Sequence, residues 1–540
     1  MNLITQKIYK FIVNQKTESI LFLLLVFSLL WLKEINFLFY DTLKSPDFDK
    51  YFVYVDYFFT GEQTSKEHGL MYYYLHSVNY SFFYGDFQNF EFFLDKSIQQ
   101  VNFYIFIFGL IGYYLLLDFL GYSKRTIFLT FIFINFFPPA IAMRLVLKPE
   151  ILAFAVIPWI IYLLEKFIKK RDFLDLIISI PFIISAITLK GNVLVVVCIY
   201  LIVTYFSIFL KLSSKQILFL VVISTFSFLA ISIENNTANG KTILDIQSGS
   251  EIEDNYDFKA PMNVLYKVDL FTLFTSPVKP AHAESFIGIT LLETTGDYFD
   301  LYWNNDDSIY SMNRKVPFKT VQSNEIKIPK FDGDNFLLEI YKQNNTDRYP
   351  RKSLGIVISS ILYFLLIKNI FTEDKYRKYL LMGFYGMGII LFHSITGIPK
   401  NNFDPLVGDT FKPQYYSFAI IFSFIFLVAS LLKESARKIF PIVIYSLLII
   451  FILGFPKYYD YDLQINLVPK IENSLFCEIE KSLFLSNSEF QDIRCEKNMA
   501  IGEYEKISKY NKIFNHQIIN LAFILSTMLS SIFIFIKRRV

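Results

Sequence analysis

Charge, cysteine and histidine are all scarce in this chain. Of its 540 residues 19% are charged, three are cysteine and five are histidine. The histidines are scattered and no zinc-ligand spacing occurs, so a metallohydrolase has no support. No GxxxxGK[ST] phosphate loop is present, which removes an ATP-driven pump, and no GxSxG elbow marks a nucleophilic serine. A net charge of +3 is too small to point to nucleic acid. No internal repeat argues for a transporter of two related halves. No small-residue cleavage site follows the first apolar run, which is therefore expected to be a retained span rather than a removed signal.

What the chain does have is apolar length. Hydrophobic residues make up 54%, aromatic residues 19%, with 61 Phe and 36 Tyr, an excess read as compositional and given no functional weight. Apolar runs of about 20 residues, the length that crosses a bilayer, recur throughout. The expected class is an all-α polytopic membrane protein, since a lipid-exposed backbone must satisfy its own hydrogen bonds. Twelve spans are expected, near 19–39, 103–121, 126–143, 150–168, 173–189, 191–210, 216–233, 353–371, 379–396, 415–433, 439–456 and 516–536.

Basic residues orient these spans. With the N-terminus inside, the inner connections hold 21 Lys and Arg against 5 in the short outer connections 143–150, 189–192 and 394–414. Both termini are then expected inside, and segments 40–102, 234–352 and 457–515 outside. The second long segment contains NEIKIPKF, whose alternation suggests β structure, so the outer loops are expected to be mixed α/β. The third carries Cys477 and Cys495 with 17 residues between them. An oxidising compartment would allow a disulfide, and two unrelated thiols are the alternative. Cys198 lies within a span.

The outer positions carry the chemistry. Ser45-Pro46 reads as a helix N-cap followed by proline at the first helical position. Phe48, Phe52, Val55 and Phe59 then share one apolar face, expected to lie along the membrane surface. Asp49 and Asp56 share another, and Asp47 sits in the first turn, where a helix N-terminus favours an ionised carboxylate. Acidic residues are common in first turns, so this pattern alone does not assign a role. The rare outer cations are Arg144, Lys148, Lys190, Lys400 and Lys412. Singly each is an ordinary headgroup-facing side chain; together they would suit a lipid phosphate. Glu150 is a helix-start acid or a partner for Lys148, and His393 ends a span.

A first span followed by a long acidic outer loop resembles the GT-C superfamily of polyprenyl-phosphate-dependent glycosyltransferases. SPDFDKYFVY resembles their Asp-Glu-type motif, and KEHGLMYYYL their Pro-Leu-Tyr-Tyr-type segment. MRLVLKPEILAFAVIPWIIYLLEKF is similar to their third-to-fourth span junction, and HAESFIGITLLETTGDYFDLYW to an outer-loop segment of bacterial members. TFKPQYYSFAI resembles the late-span entry of the protein O-mannosyltransferase and aminoarabinose-transferase branch. The likeness implies a GT-C-like fold with a catalytic module at 1–233, a large periplasmic or lumenal loop at 234–352 and a variable module at 353–540. It implies inverting transfer from a polyprenyl-phosphate sugar to a lipid, glycan or protein acceptor, on the periplasmic face of a bacterial inner membrane.

In that scheme an aspartate is the general base, Asp47 first and Asp49 second, because Asp-Phe-Asp replaces the usual adjacent Asp-Glu. Arg144, Lys148, Lys190 and Lys412 would stabilise the departing phosphate. Glu67, His68, Tyr73, Glu150, His393 and Lys400 would lie near substrate. No residue is assigned to a metal, and a divalent ion is left open as a cofactor. A flippase or transporter for lipid-linked glycans and an O-antigen-type polymerase are the competing readings. Nearly charge-free spans weigh against the first, and an acidic loop directly after the first span weighs against the second.

Overall fold

The computed structural model describes residues 17–39, 48–60, 68–83, 90–209, 211–239, 266, 268–275, 285–295, 349–372, 376–396 and 416–434. These are helical, with no strand among the described residues. The helices are α1 (Thr17–Phe39), α2 (Phe48–Thr60), α3 (Met71–Phe83), α4 (Phe90–Phe119), α5 (Lys124–Phe136), α6 (Pro138–Leu145), α7 (Glu150–Lys170), α8 (Phe173–Ile187), α9 (Gly191–Phe209) and α10 (Ser214–Asn239). They continue with α11 (Leu270–Thr275), α12 (Phe286–Thr295), α13 (Tyr349–Thr372), α14 (Arg377–Thr396) and α15 (Ser417–Glu434).

Helices run through ten of the twelve expected spans. Among the described residues three are long and apolar enough to cross a membrane: Lys96–Phe119, Glu150–Lys170 and Gly355–Thr372. The pair α5–α6, bent by 64°, would make a fourth, and four further apolar helices are shorter. Segments 439–456 and 516–536, NEIKIPKF and the cysteine pair lie outside the described residues. The described helices therefore support three or four spans by that measure, fewer than twelve.

The bend between α5 and α6 corrects one span directly. A single helix is expected over 126–143, but Pro138 and Pro139 supply no amide hydrogen and hold the preceding residue extended. Phe137 accordingly sits at φ −71, ψ 127. The turns on either side have local causes. Ser123 caps α5 by accepting from the Thr126 amide at 3.2 Å, and Asp172 caps α8 by accepting from the Leu174 amide at 3.0 Å. Gly121, at φ +83, takes the left-handed turn between α4 and α5.

Two glycines let α4 lie close against α7. A Cβ on Gly109 would come within 2.7 Å of the Phe154 ring, and one on Gly112 within 2.7 Å of Trp159. Small residues at such crossings allow the backbone approach that helix packing in a membrane relies on. Phe106 stacks on Phe154 with centroids 5.2 Å apart, and Phe108 on Trp159 at 4.9 Å. Helix α15 forms the centre of the bundle and is buried from Tyr416 to Ser430. Its Phe422 meets Tyr113 of α4, and its Phe424 meets Phe137 and Tyr363. The 353–434 helices thus pack on the first module. At the end expected to be inner, Lys378 of α14 pairs with Glu165 of α7, which also accepts from the Tyr205 hydroxyl of α9 at 2.8 Å.

Candidate functional site

The stretch leading into α3 is docked on the bundle through a glycine. Gly69 donates its amide to the Leu189 carbonyl at 3.1 Å, at the corner between α8 and α9. A Cβ there would fall 2.1 Å from the Thr188 carbonyl oxygen, so only glycine permits the approach. Around this point the loop's rings assemble. Tyr51 stacks on His68 at 5.3 Å, Tyr54 lies 5.4 Å from His68, and Tyr54 stacks on Tyr73 at 4.6 Å. One position back, Tyr72 donates to Asn102 Oδ1 of α4 at 2.8 Å. Asn102 in turn donates to the Val146 carbonyl at 2.8 Å, between α6 and α7. Three distant stretches are so held together: the loop, the α6–α7 junction and the α8–α9 corner.

At their meeting point stands Lys190. Its Nζ donates to Glu150 Oε1 at 2.9 Å and to the Tyr51 hydroxyl at 3.1 Å. The Lys148 Nζ lies 5.7 Å from the Tyr51 ring centroid, and both Lys148 and Glu150 are buried. Glu150 opens α7, where the helix N-terminus adds to the charge that stabilises its carboxylate. Its second oxygen, Oε2, is buried and has no hydrogen-bond partner among the described residues; the Tyr73 hydroxyl is in the same position. Burial, followed by the Glu150 charge, holds the Tyr72 hydroxyl well above the usual tyrosine range. Burial and the neighbouring Tyr54, Tyr72 and Glu150 do the same for Tyr73. Both remain protonated donors at neutral pH. Two lysines and a glutamate thus gather around the Tyr51 ring.

Five of the expected site residues are thus brought together: His68, Tyr73, Lys148, Glu150 and Lys190. Arg144 is not turned to this cluster. Its guanidinium lies buried at the α5–α6 break, donating to the Asn135 side chain and carbonyl and to the Ala140 carbonyl, 4.6 Å over the Phe106 ring. The proline break exposes the Asn135 carbonyl near the end of α5, and Arg144 satisfies it. The structure thus places Arg144 at the α5–α6 break, apart from the other expected phosphate-binding cations it describes.

Asp49 lies in the first turn of α2, two positions before Tyr51, with its side chain outside the described residues. His393 is in α14, its side chain likewise outside. Asp47, Glu67, Lys400, Lys412, Cys477 and Cys495 lie outside the described residues. One face of α2 is turned to the protein. It is centred on Tyr51, Tyr54 and Val55, with Phe52 and Phe59 only half-buried. The tyrosines were legible as a three-residue spacing, but the stronger phenylalanine periodicity masks them. Asn102 and Asn135, polar residues inside apolar runs, carried a signal that was not used. Among the described residues no three His, Cys, Asp or Glu gather to hold a metal ion.

Beneath the cluster, His76 of α3 is fully buried against the edge of Tyr72, 4.5 Å between centroids, with neither ring nitrogen hydrogen-bonded among the described residues. Burial lowers its pKa from 6.5 to about 3. Between those values the folded chain binds fewer protons than the unfolded chain, so stability falls as pH drops from 6.5 toward 3. The expected slope from this residue is about 1.4 kcal/mol per pH unit. Thermal unfolding followed from pH 7 to pH 4 should show a shallower decline in His76→Phe; an unchanged decline would contradict the assignment.

No family model, no curated protein and no solved structure matches the chain.

Proposed function

We propose that the chain is a GT-C-type membrane glycosyltransferase that takes sugar from a polyprenyl-phosphate donor. The observation that supports this most is the Lys190–Glu150–Tyr51 contact with Lys148 beside it. It couples the acid-bearing first loop to the two connections in which outer cations are rare. The acceptor's hydroxyl or amine gives its proton to Asp47 or Asp49 and attacks the anomeric carbon. The bond from that carbon to the phosphate oxygen breaks, and the electron pair stays on the phosphate. Lys190 and Lys148 offset the charge that develops there, preplaced in a buried setting where such contacts count most. Tyr73, kept protonated, is a hydroxyl donor at the edge of the same site, while the Tyr72 hydroxyl is committed to Asn102.

The broken helix pair α5–α6 favours a second reading, a flippase for a lipid-linked glycan, because transporters often build their sites from discontinuous spans. One assay separates the two. Purified protein in vesicles is given a radiolabelled polyprenyl-phosphate sugar, and both transfer and movement between leaflets are followed. Transfer is expected, with Asp47→Asn or Asp49→Asn reducing it by roughly 100-fold or more, the usual contribution of a general base. Full transfer in both variants would remove the aspartates from the mechanism. Donor movement without transfer would establish the second reading instead.

A further inference from the structure

Helix α3 wears its polarity inside out. The face it buries carries Tyr72, Tyr73, His76, Ser77, Asn79 and Tyr80. The face it exposes carries Met71, Tyr74, Val78 and Phe82, at 40%, 49%, 45% and 79% exposure. Those positions fall at i, i+3, i+7 and i+11, a single stripe along the helix. A helix bordering water has the opposite arrangement, polar outward and apolar inward.

Hydrogen bonds fix where this stripe lies. Tyr72 is tied to Asn102, and Asn79 donates to Ser97 Oγ at 2.9 Å, so α3 runs antiparallel along α4. Ser97 and Asn102 both belong to Lys96–Phe119, a stretch long and apolar enough to cross a membrane. At 1.5 Å per residue, Asn102 is about 9 Å into that stretch. The same stretch exposes Tyr104, Phe108 and Ile111, continuing an outward apolar surface. From this geometry we infer that α3 is sunk in the lipid of one leaflet, with Met71 and Tyr74 against acyl chains and Val78 and Phe82 rising to the edge of the leaflet. Its polar face is then sealed toward the protein, where Asn102 and Ser97 satisfy it. A lipid-sunk α3 forms the wall between the bilayer and the Tyr54–Tyr73–His68 rings. The inference needs only the membrane class and stands whether or not the chain transfers sugar.

Nitroxide labels at Met71 and Tyr74, in a full-length chain with Cys198, Cys477 and Cys495 replaced by serine, test it in phosphatidylcholine vesicles. Collision with oxygen and with a nickel chelate would be compared with a label at Ile111. The expected result is the lipid pattern at both positions, high oxygen and low nickel, as at Ile111. High nickel accessibility would place the stripe in water and overturn the inference. Low accessibility to both would mean that protein, such as a second copy of the chain, covers it, and would overturn it equally. Should labelling disturb the fold, Tyr74→Trp gives the same choice. Quenching by brominated lipid supports burial in the leaflet, and quenching by iodide alone contradicts it.

Discussion

Lys190→Ala is expected to weaken donor binding strongly and to destabilise the chain at the same time. The two effects have separate causes. Glu150 is 2% exposed, one of its oxygens is bonded to Lys190, and the other has no hydrogen-bond partner among the described residues. Removing the lysine leaves a buried carboxylate uncompensated, a change that costs about 3–5 kcal/mol. It also removes the charge proposed to meet the donor phosphate, for which a loss of roughly 100-fold in affinity is expected. A double substitution separates them. Lys190→Met with Glu150→Gln removes both charges, so stability measured by denaturant unfolding should recover most of the loss. Donor binding should not recover. Recovery of both would show that Lys190 serves the fold alone.

Gly69→Ala should have the second-largest effect, through sterics rather than charge. The added Cβ would stand 2.1 Å from the Thr188 carbonyl oxygen, which belongs to the backbone and cannot rotate away. Either the corner between α8 and α9 moves or the loop lifts off it. A shift of the loop breaks the Gly69–Leu189 hydrogen bond and draws Tyr51, stacked on His68 one residue away, from Lys190. The expected cost is at the upper end for a single substitution, about 4 kcal/mol. Limited proteolysis should then cut the 40–102 loop faster than in the parent chain. Gly121→Ala is a useful control, because its φ of +83 strains the substitution but nothing lies within 4 Å. It should lower stability by about 1 kcal/mol without touching donor binding.

Much of the helix layout was legible, because apolar runs and the need for internal backbone hydrogen bonding leave few alternatives. Pro138-Pro139 was visible too, yet a hydropathy window averages across it and reports one span where two bent helices stand. The site was half legible. Scarcity of outer cations singles out Lys148 and Lys190, and the structure brings both to Tyr51. The same argument also selects Arg144, which turns inward because a broken helix leaves carbonyls that need donors. Rarity on one side of a membrane marks a charge as unusual; it does not say which way the side chain points. The need for Gly69 was not legible in KEHGLMYYYL, since a close approach to a residue 120 positions away has no local signature.

In the proposed function a lipid phosphate sits between the first loop, the start of α7 and the start of α9. Photoaffinity labelling tests it most directly, using a diazirine-bearing polyprenyl phosphate with peptide mapping by mass spectrometry. The account predicts labelled peptides containing Tyr51, Lys148 and Lys190, protected by excess polyprenyl-phosphate sugar and lost in the Lys190→Met, Glu150→Gln double variant. Labelling confined to other peptides, or unchanged in that variant, would contradict it.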